Sequence, residues 1–443
     1  GSVNGITLLI PKSAFDEYGE FDETLKCTQD YDMWRRIAKG YKFVHMDEIF
    51  TKTRIHPLQD SNKHPNVVKE GDLLWINMME QISDEDKKRL EGALYNFYRE
   101  MYNFLESNSP YDGAKEHAKK KMQQIIHKDN KVIQQTEENC KVSVIIPFYN
   151  NGIDELNNAL ESIKNQSHKN FEILLINDGS TIDVREIEKI AKENKKLRYY
   201  KNEQNRGPGF ARNLGITKAT GEYICFLDAD DVFLPEKLKK QLTEMLLTGR
   251  KISHTSYIQK ENSDEEVVRS GKLDGEVIPV IIQSCTIATP TVMIKTNFLK
   301  ENDFRFREDI QVGEDTCFWL EILRNEKLQG IDKPLTIVNK MKDSASTDLQ
   351  KHLTGLSNIL SYICSDEEYK KYHARIAYLC QRYVEVSEKL TTLENQSKKG
   401  IKKDNKVVRM FQLFRYQGVR LTLKKAVRKY VPKVVRKMKR LFR

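Results

Sequence analysis

Val142-Ser-Val-Ile-Ile-Pro-Phe-Tyr-Asn150, directly after Lys141, is the stretch that decides the fold. An apolar run halted by proline, with polar residues straight after it, fits a strand buried on both faces of a parallel sheet. Working outward, Glu155 to Asn165 carries apolar residues at helical spacing, Leu156, Ala159, Leu160 and Ile163. Phe171 to Ile176 then gives a second buried strand that ends in Asn177-Asp-Gly-Ser180, and the three elements make a βαβ unit. The alternation continues with a helix over Val184 to Glu193, a strand over Leu197 to Lys201, a helix from near Gly209 and a strand over Tyr223 to Leu227. This pattern predicts an α/β fold: a doubly wound, Rossmann-like, mostly parallel sheet flanked by helices, with ligands gathering at the carboxyl ends of the strands.

Three carboxylate sites fall at such ends: Asp178, the cluster Asp228-Ala229-Asp230-Asp231, and Glu314-Asp315 ahead of an apolar helix. Each taken singly reads as a turn or a solvated helix start. Their combination, with a buried strand before each of the first two, makes a binding site the better reading.

Four segments, Val144-Ile-Ile-Pro-Phe-Tyr-Asn150, Asn177-Asp-Gly-Ser180, Asn205-Arg-Gly-Pro-Gly-Phe-Ala-Arg-Asn213 and Phe226-Leu-Asp-Ala-Asp-Asp231, resemble glycosyltransferase family 2. The resemblance spans about residues 141–346. It implies a GT-A fold, a nucleoside diphosphate sugar donor, usually a UDP-sugar, and transfer with inversion at the anomeric carbon. It also implies donor-binding positions at Pro147, Tyr149, Asn150, Asp178, Arg206, Arg212, Asp228, Ala229 and Asp230. Asp178 would accept a hydrogen bond from a uracil N–H, and Asp228 would bond a ribose hydroxyl. Asp230 would hold Mn²⁺ or Mg²⁺ through hard oxygen ligands against the diphosphate. Asp315 resembles the general base that deprotonates the acceptor hydroxyl, with Glu314 as its neighbour. Arg206 and Arg212, around a glycine-rich turn that opens a helix, would steady the donor, and structural salt bridges account for the two equally well. One departure stands out: an upstream copy of the pattern carries His56, whereas Met341 occupies the matching position here and is a poor ligand for these ions.

That upstream copy emerges from an internal repeat. Asp30, Trp34, Asp47 and Ser61 register without gaps on Asp315, Trp319, Asp332 and Ser346. Residues 1–62 therefore read as the C-terminal, acceptor half of an upstream GT-A domain, without a nucleotide half of its own. Residues 63–140 read as a helical linker, with Ser83 capping the acidic turn Asp84-Glu-Asp86 and a break at Ser109, Pro110 and Gly113. The complete GT-A domain occupies 141–346, and residues 347–400 form a further helical region that packs on the domain or mediates oligomers.

The net charge of +10 is concentrated in residues 401–443, where 16 Lys and Arg face Asp404 alone, leaving the first 400 residues near −5. Val427, Val431, Val434, Met438 and Leu441 interleave with that charge at helical spacing. A basic amphipathic tail of this kind predicts docking on an anionic membrane surface. Nucleic acid is not an expected partner, since no stacking platform accompanies the charge. No apolar run approaches the roughly 20 residues of a membrane-spanning helix. Seven cysteines lack any Cys-x-x-Cys pair and Gly1 to Ile10 lacks the order of a leader peptide, which together favour a reducing cytoplasm.

The expectation is a cytoplasmic, metal-dependent, inverting hexosyl-type glycosyltransferase, peripheral on the inner face of the membrane. It would build a bacterial surface polysaccharide on a glycan or lipid-linked acceptor. The rival readings are an inactive nucleotide-sugar-binding scaffold and a nucleotidyltransferase, the latter lacking its phosphate loop at Pro147-Phe-Tyr-Asn150. Residues 250–290 carry no readable pattern and the sugar stays unnamed.

Overall fold

The computed structural model describes residues 7–44, 46, 51–52, 66–340 and 348–398. Two compact units form, Gly1–Val132 with Leu247–Gly249, and Ile133–Leu246 with Arg250–Arg443. Asp47, His56, Ser61, Met341, Ser346 and the basic tail lie outside the described residues.

In the first unit, α1 (Lys12–Tyr18) and α2 (Gln29–Ile37) close over a small cluster of Ala14, Met33, Trp34 and Ile37. The helical segment follows as α3 (Val67–Gln81), α4 (Asp84–Glu91), α5 (Leu94–Asn108) and α6 (Asp112–Asn139). Ser83 caps α4 as its sequence predicts, its Oγ accepting the Asp86 N–H at 3.0 Å, which satisfies one of the four orphan donors of the helix start. Met79, Phe97, Tyr98 and Leu105 meet Ala114 and Ala118 in a core of their own.

The second unit is built on nine strands: β1 (Val142–Phe148), β2 (Phe171–Asn177), β3 (Leu197–Lys201), β4 (Tyr223–Phe226), β5 (Val232–Phe233), β6 (Ile252–Glu261), β7 (Asp264–Val268), β8 (Met293–Lys295) and β9 (Gln329–Asn339). Their order is β3-β2-β1-β4-β8-β6-β9-β5, with β7 on β6. The first four are parallel, in the βα alternation read from the sequence. Beyond β4 the sheet becomes mixed: β8 runs antiparallel to both its neighbours, β5 to β9 and β7 to β6, while β6 and β9 are parallel.

Residues 250–290 hid β6 because its buried run, Ser253, His254, Thr255 and Ser256, is polar yet fully enclosed. Side chains and a loop carbonyl satisfy most of it: Gln241 Nε2 donates to Ser253 Oγ at 3.0 Å, Ser256 Oγ donates to Asp332 Oδ1 at 2.8 Å, and His254 Nε2 meets the Leu273 carbonyl at 2.8 Å, while His254 Nδ1 and Thr255 Oγ1 have no partner among the described residues. A buried strand whose polar groups are mostly bonded is tolerated, but it presents no apolar signature to a reader of sequence.

Alternate side chains of β1 feed two cores. Ile145 packs with Ala211 and Ile216 of α9 (Pro208–Lys218), while Val144 and Ile146 pack with Leu156, Ala159 and Ile163 of α7 (Ile153–Lys164). Gly215 lets α9 approach closely, since a Cβ there would sit 2.4 Å from Ile145 Cγ2. Between them in sequence, α8 (Arg185–Glu193) lays Ile187 on the second core. The remaining helices are α10 (Lys237–Thr248), α11 (Ile278–Gln283), α12 (Thr296–Glu301) and α13 (Glu314–Ile322). The last two, α14 (Leu349–Ser365) and α15 (His373–Lys398), bury Leu356, Leu360, Ile363, Ile376 and Leu379 in the first core, so their apolar stripe packs on the domain itself.

Candidate active site

The loops after β1 and β2 are tied together. Asn150, with φ +57°, donates its N–H to Ser180 Oγ at 3.0 Å and accepts the Thr181 N–H at 2.8 Å. Pro147 pairs in register with Ile176, and Tyr149 is 43% exposed at the strand end. Gly179 has φ +74°, and a Cβ there would lie 2.4 Å from the Gln204 carbonyl carbon, so the turn admits only glycine. Asp178 is buried. Its Oδ1 accepts from Asn202 Nδ2 at 2.8 Å, and its Oδ2 accepts the N–H groups of Arg206 and Gly207 at 3.0 and 2.7 Å. Three of the roughly four lone-pair positions of the carboxylate are therefore taken, and the loop entering α9 is shaped around it.

Arg206 and Arg212 both hold carboxylates, which is the salt-bridge reading that the sequence left open. Arg206 lies 3.4 Å from the Phe210 ring centroid and donates to Glu308 Oε2 at 3.1 Å near the surface. Arg212 is 5% exposed and bridges two elements. Its Nη2 meets Asp228 Oδ1 and its Nη1 meets Glu314 Oε1, both at 2.9 Å, with the Phe306 ring centroid 5.4 Å from the guanidinium. These carboxylates raise its pKa further, although burial works against it. Next to it, Asn213 exchanges hydrogen bonds with the backbone of Phe306, giving to its carbonyl and accepting its N–H, both at 2.8 Å. One turn of α9 thus fixes the segment that leads into α13.

After β4 the chain turns sharply, with the Asp231 N–H on the Asp228 carbonyl at 3.0 Å and Ala229 packed inside. Asn339, at the end of β9, holds this turn: its N–H donates to Asp231 Oδ1 at 2.8 Å and its side-chain amide donates to the Asp230 carbonyl. Sequence reading passed over Asn339, since a lone asparagine at a strand end gives no signal until the turn it meets is known. Burial, then Asp228, pushes Asp230 up to about 6, and Asp231 is raised by the same causes and by Asp230. No group of three or more His, Cys, Asp or Glu able to hold a metal occurs among the described residues. Mg²⁺ is commonly held by one or two carboxylates together with substrate phosphates, so Asp230 fits an ion that arrives with a diphosphate.

Glu314 and Asp315 form the first turn of α13, after Gly313 at φ +86°. Burial, then Asp315, pushes Glu314 up to about 7 against the pull of Arg212. Asp315 is raised by burial. The hydrogen bonds described for it come from Thr316, the N–H at 2.6 Å and the hydroxyl at 3.4 Å on Oδ1. Of Asp228, Glu314 and Asp315, Arg212 bonds the first two, and Asp315 has no cation bonded to it among the described residues.

The repeat also has structural form. Adding 285 to the bounds of α2 gives those of α13, and Asp30 accepts the Tyr31 N–H at 2.8 Å as Asp315 accepts that of Thr316. At the Glu314 position the first copy has Gln29.

This geometry can be set beside known proteins. The sequence model of glycosyl transferase family 2 matches residues 143–308. A glycosyltransferase of Rickettsia felis, itself uncharacterised, is 41% identical over 84% of this chain, which spans 60% of that relative's length. Another of Haemophilus influenzae is 34% identical over 42% of this chain and 73% of its own. The crystal structure of residues 1–349 of S. aureus TarS in complex with UDP is similar at 24% identity, covering 55% of this chain and 71% of that one with a TM-score of 0.44. The matched region runs from β1 through the Asp228 turn and α9 to Glu308, and the chain belongs to glycosyltransferase family 2, with the GT-A fold.

Proposed function

We propose that residues 141–346 form an inverting, metal-dependent glycosyltransferase that moves a hexosyl unit from a UDP-sugar to a glycan or lipid-linked acceptor, in bacterial surface polysaccharide assembly. The observation that carries this reading is the Arg212 bridge, which joins the Asp228 turn to the Glu314–Asp315 turn. A donor held at the first then lies beside the base offered by the second. Asp178 organises the loop against which the base would lie, Asp228 takes a ribose hydroxyl, and Asp230 holds Mn²⁺ or Mg²⁺. When bound, the ion offsets charge on the departing nucleotide. Asp315 accepts the proton of the acceptor hydroxyl at its free carboxylate oxygen. Arg212 and Glu314 keep Asp315 at a fixed distance from the donor side.

No helix among the described residues is long and apolar enough to cross a membrane. We assign attachment to the inner membrane face to the basic segment 401–443. The reading is tested by titrating the full chain calorimetrically with UDP, GDP and CDP, each with and without Mn²⁺. Metal-enhanced UDP binding is expected. Binding of none of the three would overturn the donor assignment and favour the inactive scaffold.

A further inference from the structure

A cavity of about 250 Å³ opens between α11, the start of α13, α14 and α15. Its walls are apolar, with Ile281, Leu356, Ile359 and Leu379, and one side is the turn of Gly313 and Thr316 that flanks Glu314 and Asp315. Two cation-forming side chains reach it, His352 and Arg382, and no carboxylate lines it. Of the five N–H donors of Arg382, one goes to the Gln283 carbonyl at 3.3 Å. Burial, then Arg382, holds His352 below its ordinary value, so His352 enters as a neutral donor and Arg382 as the standing charge.

Apolar walls with a convergent cation suit an amphiphilic anion. The volume is below the roughly 300–1,000 Å³ of sites that enclose a whole small ligand, so it suits the end of a chain. The helix that supplies Arg382, α15, is followed in sequence by the basic amphipathic segment 401–443, which favours an occupant borne by a membrane.

We propose that this cavity receives the acceptor's lipid: the carbons of an apolar chain lie among Ile281, Leu356, Ile359 and Leu379, and the phosphate joining that chain to the sugar lies at Arg382 and His352. The sugar is then on the side of Asp315. This deepens the functional reading above and rests on it for the role of Asp315, whereas the cavity's chemistry stands by itself.

The full chain would be titrated calorimetrically, below their micelle concentrations, with decyl phosphate, decyl maltoside and inorganic phosphate. Decyl phosphate is expected to bind roughly tenfold more tightly than decyl maltoside, and inorganic phosphate to give no heat at the same concentration. Arg382→Gln should weaken decyl phosphate roughly tenfold, and Ile359→Phe, which fills the cavity, should block it, with urea midpoints confirming that both variants fold. Equal binding of the two amphiphiles, or unchanged binding in both variants, would overturn the proposal. Inorganic phosphate that binds as well as decyl phosphate would make this a site for a free anion and would also overturn it. UDP titrated into the same samples separates the two readings. Amphiphile binding without UDP binding sinks the donor assignment alone, and UDP binding without amphiphile binding sinks the cavity alone.

Discussion

Arg212 and Glu314 stand 102 residues apart in the chain and 2.9 Å apart in the fold, in a contact that is almost fully buried. The same guanidinium holds Asp228, so one side chain spans the two carboxylate turns of the site. Truncating one partner of a buried pair strands the others without compensation, which typically costs about 3–5 kcal/mol. Arg212→Met should lower unfolding stability by about that amount, and Arg212→Lys by somewhat less, since lysine keeps the charge but loses the fork that bridges two acceptors. Urea unfolding followed by far-UV circular dichroism checks this, and a loss under about 1 kcal/mol in the methionine variant would show that the bridge is not what holds the turns.

The pH dependence follows from the same group. Glu314 is pushed up from 4.5 to about 7, chiefly by burial and then by Asp315. In the window between these values the folded protein binds more protons than the unfolded one, so this pair's contribution to stability falls as pH rises from about 4.5 towards 7. Activity runs the other way, because a base must be unprotonated and burial raises Asp315 above the usual carboxylate range, so transfer should rise with pH to a plateau. Glu314→Gln keeps an oxygen for Arg212 but removes the negative neighbour of Asp315, so the rising limb should move to lower pH. An unshifted limb in a pH–rate profile would dissociate Glu314 from the titration of the base.

The first half of the domain was legible because its strands are apolar runs and its turns are Gly- and Asp-rich. Val144 to Ile146 and Phe171 to Ile176 could be little else than buried parallel strands, and Asp178, Asp228 and Asp230 follow their strands directly. The second half was opaque for the opposite reason. Buried polar residues disguise β6, and β8 is only three residues long. Arg212 had two readings from sequence, and only the fold places its partners Asp228 and Glu314 on either side of it. Asn339 and Asn213 act through backbone groups of distant segments, a kind of contact that no local pattern announces.

Asp230 should act as a metal ligand whose protonation is visible. Burial, then Asp228, pushes it up to about 6, and a protonated carboxyl does not bind the ion. The enhancement of UDP affinity by Mn²⁺ should therefore shrink roughly tenfold between pH 7 and pH 5, and Asp230→Ala should remove it at both. Calorimetry at the two pH values decides the matter. Full enhancement in the alanine variant would move the ion to another residue.

Membrane attachment separates from catalysis by a cut after residue 400. The 16 basic residues beyond it outnumber the acidic ones by 15, and each near a surface is worth about 1 kcal/mol towards anionic lipid. The full chain should sediment with vesicles containing phosphatidylserine and dissociate in high salt, while the shortened chain should stay in solution and still bind UDP. Equal sedimentation of the two would remove the role assigned to this segment.

Asp315 carries the sharpest prediction because it is singled out by what its neighbours do. Arg212 is spent on Asp228 and Glu314, and the hydrogen bonds described for Asp315 come from Thr316, on one oxygen. The other oxygen is available to an acceptor hydroxyl. Asp315→Asn preserves size and an oxygen acceptor for the Thr316 N–H but abolishes basicity, so transfer should fall by about 10²–10⁴-fold. Because Asp315 neither bonds Asp228 nor holds Asp178, UDP affinity should stay within about twofold, well inside one tenfold step of binding energy. Single-turnover transfer and UDP calorimetry on the same variant make the test. Loss of UDP binding would place Asp315 in the donor site instead, and transfer that survives the substitution would leave Glu314 as the base.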